Sequence, residues 1–177
     1  MRYLPIAAFV IAIGLTATAD AEPAVRILAL GASNTNGRGV GTESAWPALL
    51  QRMLRAKGYD ARVSVSAVNG QTSAQILERA QTDIEPGIQI VIFDNGGDND
   101  RKRGMSMAET NANVARIQAA IRAHGAVPIR APYRAVAGQM YSSRGYQSDG
   151  HHLSAESHAR VAAALMPQIT AKIGRKK

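Results

Sequence analysis

The sequence predicts an α/β fold in which a parallel sheet is covered by helices on both faces. Short apolar runs of strand length alternate with longer stretches whose apolar residues recur at helical spacing. Parallel neighbours must be joined by a long crossover, usually a helix, and this alternation provides one between successive strands. At 177 residues and 46% hydrophobic composition, the chain fits one domain with its own core.

The N-terminus has the layout of a secretory signal peptide. A basic residue precedes an apolar run over residues 6–15, and Ala19-Asp20-Ala21 forms a small-x-small cleavage site. The run is shorter than the roughly 20 residues that span a bilayer. We therefore expect a signal peptide at 1–21, a single soluble domain at 22–177 that does not stay inserted in a membrane, and a periplasmic or secreted location in a bacterium.

The amino-acid composition and net charge limit the kinds of molecule that the protein is expected to bind. The chain has no cysteine, which excludes disulfides and thiol nucleophiles. Its net charge of +8 favours acidic partners. Export and an aromatic content of 5% argue against nucleic acid, so anionic envelope polymers or lipid headgroups are the expected partners. The sequence does not define an oligomeric state.

Three strands are predicted in the first half of the chain, at residues 25–30, 61–68 and 89–93. The first is a continuous apolar run that ends at Gly31, the second alternates and is rich in valine, and the third runs into a polar, glycine-rich segment. A fourth strand is predicted at 126–130.

Helices are predicted between the strands and at the C-terminus. The first carries an apolar stripe from Trp46 to Leu54 with Pro47 in its first turn, and a second stripe contains Ile76, Leu77, Ala80 and Ile84. Ser106 and Glu109 form a capping box that opens a third helix, and a last helix covers 154–173 with a kink at Pro167. Residues 131–150 show no periodic pattern, so we expect a long loop there.

Three polar segments follow strands, at Gly31, Asn69 and Asn95. In open parallel sheets, binding sites lie at the carboxyl ends of the strands. We therefore expect the three segments to meet in space although they are far apart in sequence. Ser33 lies in the first of them, where its hydroxyl can face a crevice. Asp149 and His152 are three residues apart in the long loop, so the carboxylate can fix the tautomer of the imidazole.

In their order along the chain, these residues resemble the sequence blocks of the SGNH, or GDSL-like, hydrolases. Ser33 matches the serine of block I, Gly70 the glycine of block II, and Gly97-Asp98-Asn99-Asp100 the Gly-x-Asn-Asp of block III. Asp149 and His152 match the Asp-x-x-His of block V. The resemblance covers essentially the whole mature chain. It is closest to the small periplasmic group with thioesterase, arylesterase and lysophospholipase activities.

The resemblance implies a flavodoxin-like three-layer αβα sandwich with a mostly parallel sheet of four to five strands. It implies a serine esterase with Ser33 as nucleophile and with Asp149 and His152 completing the triad. The backbone N–H groups of Ser33 and Gly70 and the side-chain amide of Asn99 would form the oxyanion hole. No cofactor and no metal is implied. The substrate would be a small-molecule, lipid or glycan acyl ester, whose acyl and leaving groups the sequence leaves open.

Two departures from the family pattern bear on the site. Ala32 stands where the family usually has an aspartate, which puts the support of the nucleophile turn in question. Close relatives insert a further helix and strand after the fourth strand, and here only residues 131–150 occupy that interval. We therefore expect a reduced sheet, nearer four strands than five, and a more open acyl pocket.

Other readings of the same residues are open. Asp94, Asp98 and Asp100 suggest a calcium site, although their spacing does not fit an EF-hand loop. His151, His152 and His158 suggest a zinc site, although adjacent histidines seldom face one ion. The alternatives at the level of function are a calcium-binding domain and a catalytically inactive envelope-binding domain on the same fold. The basic run at 101–103 is expected to be a solvated surface, or else to steer anionic substrates.

Overall fold

A computed structural model describes residues 25–138 and 142–173 of the chain. The predicted signal peptide and its cleavage site lie outside the described residues. Within these two ranges, no helix is both long and apolar enough to cross a bilayer.

Four parallel strands form the sheet that the structure describes, in the order β2-β1-β3-β4. They are β1 (Val25–Gly31), β2 (Ala61–Ala67), β3 (Ile90–Phe93) and β4 (Val127–Arg130). Leu30 of β1 is opposite Phe93 of β3, which is opposite Arg130 of β4. The carboxyl ends of these strands therefore meet at one edge. The predicted parallel α/β sheet is confirmed, at the lower end of the expected strand number.

Helices cover both faces of the sheet. Those described are α1 (Ser33–Asn36), α2 (Trp46–Ala56), α3 (Ser73–Thr82), α4 (Gly97–Lys102), α5 (Met107–Ala123), α6 (Tyr133–Ala137), α7 (Ser142–Gly145) and α8 (Ala155–Ile173), with a 3-10 turn at Thr42–Ser44. Alternate residues of the central strands enter two separate cores. Ile27 and Ile92 pack on the side of α2 and α8, whereas Leu28 and Phe93 pack on the side of α3 and α5. Burial on both faces explains why β1 and β3 are continuously apolar.

The helix ends follow the local sequence. Pro47 lies in the first turn of α2, where its missing N–H costs no helical hydrogen bond. Thr72 and Ser106 each begin a helix with a complete capping box, paired with Gln75 and Glu109 respectively. The capping box predicted at Ser106 is confirmed, and the one at Thr72 is an additional finding.

The region after β4 differs from the sequence prediction. Residues 131–150 were expected to lack regular structure, but they contain α6 and α7. Helices of four or five residues are too short to show an apolar period, so the pattern could not reveal them. α6 matters for the site, because it carries Tyr133 and Arg134 to the carboxyl edge of the sheet.

His158, which the sequence suggested only as a candidate zinc ligand, has a structural role in the last helix. The side chain is fully buried, and its Nδ1 accepts a hydrogen bond from the backbone N–H of Trp46 at 3.1 Å. This contact satisfies an N–H at the start of α2, where a helix has no partner of its own. Burial lowers the pKa of His158 to about 4, so the imidazole is neutral near pH 7.

Candidate active site

The nucleophile turn, which we define as residues 31–36, places Ser33 at the carboxyl end of β1. Ser33 is the first residue of α1, and only 9% of it is exposed. The turn packs tightly, because a Cβ at Gly31 would lie 2.8 Å from the Cβ of Asp94. Glycine is therefore required where β1 enters the turn. The serine hydroxyl is held at the edge of the sheet, as its place after the first strand predicted.

Asp94 supports this turn from the end of β3. Its carboxylate accepts hydrogen bonds from the backbone N–H groups of Ala32, Asn95 and Gly96, the last at 3.1 Å. Burial raises the pKa of Asp94 above its ordinary value. Asp94, at the end of β3, therefore gives the turn the carboxylate support that Ala32 cannot give. Sequence reasoning missed this role, because Asp94 was considered only as part of an acidic cluster.

A second network lies behind the turn. The indole N–H of Trp46 donates to the Tyr133 hydroxyl at 2.9 Å, and the hydroxyls of Tyr133 and Thr35 hydrogen-bond at 2.8 Å. Burial raises the pKa of Tyr133 well above its ordinary value, so the phenol stays protonated. Through Tyr133, α6 is tied both to α2 and to the nucleophile turn. No motif in the sequence signalled this contact.

The acid–base loop, which we define as residues 147–153, brings His152 to Ser33. His152 Nε2 lies 3.0 Å from Ser33 Oγ, across 119 positions of sequence. On the other side of the ring, Nδ1 hydrogen-bonds the Asp149 carboxylate. The structure therefore joins the three residues of the predicted triad in the expected order.

Asp149 is oriented by its own loop. One carboxylate oxygen accepts the backbone N–H groups of His151 and His152 at 2.9 and 3.0 Å, and the other bonds the His152 ring. The hydrogen bond from the His152 side chain, with the two backbone bonds, holds the pKa of Asp149 well below its usual range. The group is thus an ionised acceptor, which fixes the proton of His152 on Nδ1 and leaves Nε2 to face Ser33.

Two hydrogen bonds and the fully buried side chain of Leu153 tie the acid–base loop to the rest of the chain. The backbone N–H of Leu153 donates to Asn34 Oδ1 at 2.9 Å, and the Gln147 amide donates to the Arg38 carbonyl at 2.8 Å. Gln147 also donates to the Leu153 carbonyl within the loop at 2.9 Å. Asn34 and Gln147 are therefore positioning residues that the sequence analysis did not identify.

The predicted oxyanion-hole residues lie near the same edge. Asn99 is in α4, its amide nitrogen donates to the Gln71 carbonyl at 2.8 Å, and the residue lines the same crevice as Ser33. The amide has a second N–H that this bond does not use. Gly70 precedes Gln71 and has a φ of +79°, which favours glycine, while a Cβ there would meet no atom within 4 Å. The backbone conformation, not a neighbouring atom, therefore accounts for glycine at position 70.

The three aspartates of the acidic cluster have separate partners. Asp98 pairs with Arg101 and Arg134 at 3.2 Å each. Asp100 is fully buried and accepts the Ser73 backbone N–H and the Thr110 hydroxyl, both at 2.7 Å. Asp94 bonds the nucleophile turn. Across the described ranges, no three His, Cys, Asp or Glu side chains are grouped so as to hold a metal ion.

A crevice of about 400 Å³ opens in front of the triad. Ser33, Asn99, Tyr133, His151 and His152 line it. Asp149 bonds the His152 ring and is not part of the lining, and neither is Gly70. The arrangement offers a hydroxyl, an adjacent base and a side-chain amide donor to one small bound group.

Comparison with known proteins agrees with this geometry. The GDSL-like lipase/acylhydrolase family matches residues 29–167. Esterase TesA from Pseudomonas aeruginosa is 35% identical over 127 residues, which are 71% of this chain and 61% of that protein. The chain thus spans about three fifths of the length of this curated relative.

Solved structures show the same fold. A crystal structure of TesA superposes with a TM-score of 0.70 at 28% identity, covering 82% of this chain and 98% of that one. AlinE4, described as an SGNH-hydrolase family esterase, superposes with a TM-score of 0.54 at 26% identity, covering 84% and 72%. The family match spans most of the chain and includes both the nucleophile turn and the acid–base loop, so this protein belongs to the GDSL-like lipase/acylhydrolase family.

Proposed function

We propose that this chain is an exported serine esterase that hydrolyses acyl esters through an acyl-serine intermediate. The observation that carries the proposal is the 3.0 Å contact between Ser33 Oγ and His152 Nε2, with Asp149 bonded to the other ring nitrogen. This is the geometry in which an imidazole can remove a serine proton. Membership of the family and relatives named as esterases support the same activity.

The proposed reaction has two balanced halves. Ser33 Oγ forms a bond to the acyl carbon while its proton passes to His152 Nε2, and Asp149 stabilises the resulting imidazolium. The tetrahedral intermediate collapses, its bond to the leaving oxygen breaks, and His152 returns the proton to that oxygen. A water molecule then attacks the acyl-serine by the same route, which releases the acid and restores Ser33.

The oxyanion of each intermediate requires hydrogen-bond donors. We assign the backbone N–H groups of Ser33 and Gly70 and the second N–H of the Asn99 amide. The bond from Asn99 to the Gln71 carbonyl supports this assignment, because it fixes the amide plane beside Gly70. Asp98 and Asp100 are unsuited to the role, because ionised carboxylates only accept hydrogen bonds. No metal or cofactor enters the proposed mechanism.

Ester, thioester, lysophospholipid and acetylated sugar all present the same carbonyl to the serine. The open crevice, with only the short helices α6 and α7 between β4 and the acid–base loop in the described ranges, is compatible with each. Export rests on the signal-like N-terminus. N-terminal sequencing of the protein from a periplasmic fraction should begin near Glu22, and an intact Met1 there would contradict cleavage.

The first prediction tests the nucleophile. Ser33→Ala should abolish hydrolysis of 4-nitrophenyl acetate and labelling by a fluorophosphonate probe, because both require the Ser33 oxygen. Ser44→Ala is the matched control, since Ser44 is exposed on the 3-10 turn away from the crevice, and it should behave as wild type. Thermal unfolding of both variants checks that they fold. If folded Ser33→Ala kept most of its activity, the serine mechanism would be wrong. If wild type neither labelled nor hydrolysed esters, the inactive binding domain would be favoured.

The second prediction tests the side-chain oxyanion donor. Asn99→Ala should lower the acylation rate about 100- to 1000-fold, the usual cost of losing one such donor, with little change in KM. Asp98→Asn should have a far smaller effect, since Asp98 contributes an ion pair and not a donor. Single-turnover kinetics with 4-nitrophenyl acetate separates acylation from binding. The opposite ranking of the two variants would show that the block III register is wrong.

A further inference from the structure

The wall of the crevice beyond the triad is strongly cationic. Lys102 from the end of α4, Arg130 from the end of β4 and Arg134 from α6 all line it. Lys102 is far from the two arginines in sequence, and it meets them because the carboxyl ends of β3 and β4 are neighbours. Arg130 and Lys102 are exposed, so both can reach a molecule in the crevice.

The positive charge on this wall is only partly neutralised. Asp98 is the one exposed or half-buried carboxylate in the described lining, and it already pairs with Arg134 and Arg101. Asp94 also lines the crevice, but it is buried and bonds backbone N–H groups. Among the described residues, no carboxylate forms an ion pair with Lys102 or Arg130. Two cations of the wall therefore lack a counter-charge.

The unpaired positive charge also lies on one side of the crevice. The sheet order is β2-β1-β3-β4, and the crevice is lined from the ends of β1, β3 and β4 but not from the end of β2. Ser33 is at the β1 end, and the two unpaired cations are on the β3 and β4 side. A substrate with its carbonyl at Ser33 and its length along the crevice therefore brings its distal part to Lys102 and Arg130. An anionic group in that part is attracted, and a cationic group is repelled.

We propose that the preferred substrates are acyl esters that carry an anionic group, such as a carboxylate, sulfonate or phosphate, which Lys102 and Arg130 bind. This inference rests on the proposed esterase function and specifies its substrate class. The anionic group could belong to the leaving group or to the acyl chain, since either can extend along the crevice from Ser33. The negative charge of Asp98 repels an anionic substrate and so weakens this preference.

The test compares charged esters with neutral partners of similar shape. For the leaving group, the pair is 4-acetoxybenzenesulfonate and 4-acetoxybenzenesulfonamide. For the acyl chain, the pair is the 4-nitrophenyl monoester of adipic acid and its methyl ester. The readout is the ratio of kcat/KM for the anionic ester to that for the neutral ester. We expect a ratio of at least about ten in one of the two pairs at low salt, falling as salt screens the charges.

Variants test whether Lys102 and Arg130 cause the preference for anionic esters. The double variant Lys102→Gln/Arg130→Gln removes two positive charges that attract an anionic substrate, so it should lower the ratio about tenfold. Asp98→Asn removes a negative charge that repels such a substrate, so it should raise the ratio. Arg122→Gln, an exposed arginine on α5 outside the lining, is the matched control and should leave the ratio unchanged. A ratio near one in both pairs, or a ratio that the double variant does not change, would overturn the inference. Failure to hydrolyse any of the four esters would instead overturn the proposed function.

Discussion

The nucleophile turn and the acid–base loop hold their catalytic groups in contrasting ways. The turn is anchored by buried contacts to distant elements, which include Asp94 on β3 and Tyr133 on α6. The acid–base loop is anchored to the core by Leu153, but its carboxylate is exposed and bonds within the loop, as Asp149 accepts the backbone N–H groups of His151 and His152. The two aspartates show the difference, because burial raises the pKa of Asp94 while hydrogen bonds from His152 lower that of Asp149.

Because of this contrast, substitutions of the two aspartates should differ in their effects on the free energy of unfolding and on the reaction rate. Removing a buried hydrogen-bonded carboxylate leaves backbone N–H groups without a partner, whereas removing an exposed one leaves them to water. Changes at Asp94 should therefore affect both folding and rate, and changes at Asp149 should affect rate almost alone.

The largest expected effect is at Asp149. Asp149→Ala should lower kcat for 4-nitrophenyl acetate about 10³- to 10⁴-fold, because His152 loses the partner that sets its tautomer and stabilises its charge. The free energy of unfolding should fall by no more than about 1 kcal/mol, since Asp149 is exposed and water can replace the hydrogen bonds of its carboxylate. Urea unfolding and steady-state kinetics on one preparation measure both quantities. Asp60→Ala, at another exposed aspartate, serves as control. A large loss of stability in Asp149→Ala would show that the hydrogen bonds of its carboxylate hold the loop in the fold.

The intermediate effect is at Asp94. Asp94→Asn should lower the free energy of unfolding by about 1 to 3 kcal/mol, because an amide cannot accept all the N–H groups that the carboxylate accepts. Fluorophosphonate labelling should also slow by about tenfold as Ser33 loses its fixed position, a cost typical of a small misplacement of reacting groups.

A variant of similar stability separates these two effects. Ile121→Val removes one methylene from the core under α5, away from the crevice, and should cost about 0.5 to 1.5 kcal/mol. Its labelling rate should equal that of wild type. Equal labelling by Asp94→Asn and Ile121→Val would mean that Asp94 stabilises the fold without positioning the nucleophile.

The last effect appears only in acid and concerns the scaffold behind the nucleophile turn. The folded pKa of His158, about 4, is below the ordinary value of 6.5, so the unfolded chain binds the extra proton between these values. The stabilising contribution of neutral His158 is therefore fully present above about pH 6.5 and is lost as the pH falls towards 4, by roughly 3 kcal/mol. The difference in unfolding free energy between wild type and His158→Asn should follow this curve.

An exposed histidine provides the control for this measurement. His124 follows α5 and is exposed, so His124→Asn controls for the replacement of a histidine by asparagine at the surface. A difference between wild type and His158→Asn that does not vary from pH 7 to 4 would show that His158 is not held neutral.

The strands and the long helices were predictable because burial imposes a repeating pattern on them. The apolar run of β1 and the stripe of α2 each report contact with a core along their whole length. The meeting of Ser33 with the Asp149–His152 pair was predictable for another reason, since both stand in local motifs whose spacing limits their chemistry. The likeness to a known family added Gly70 and Asn99, which carry little signal alone.

The remaining features depend on contacts between distant residues. His158 is buried because α8 crosses the start of α2, and no pattern within α8 distinguishes it from a surface histidine. Asp94 supports Ala32 because β1 and β3 are neighbours, a fact of strand order that the sequence does not state. The short helix α6 lies below the length at which an apolar period can be recognised. These residues complete the site by tertiary packing and not by local sequence.

The buried position of Trp46 has an optical consequence. It is the only tryptophan in the chain, and its indole N–H is bonded to the hydroxyl of Tyr133, which forms part of the crevice wall. Light absorbed selectively by indole therefore excites a single chromophore, one hydrogen bond away from the place where a ligand would sit. The protein contains its own fluorescent reporter of the crevice, so occupancy of the wall can be followed in the unmodified chain without an attached dye.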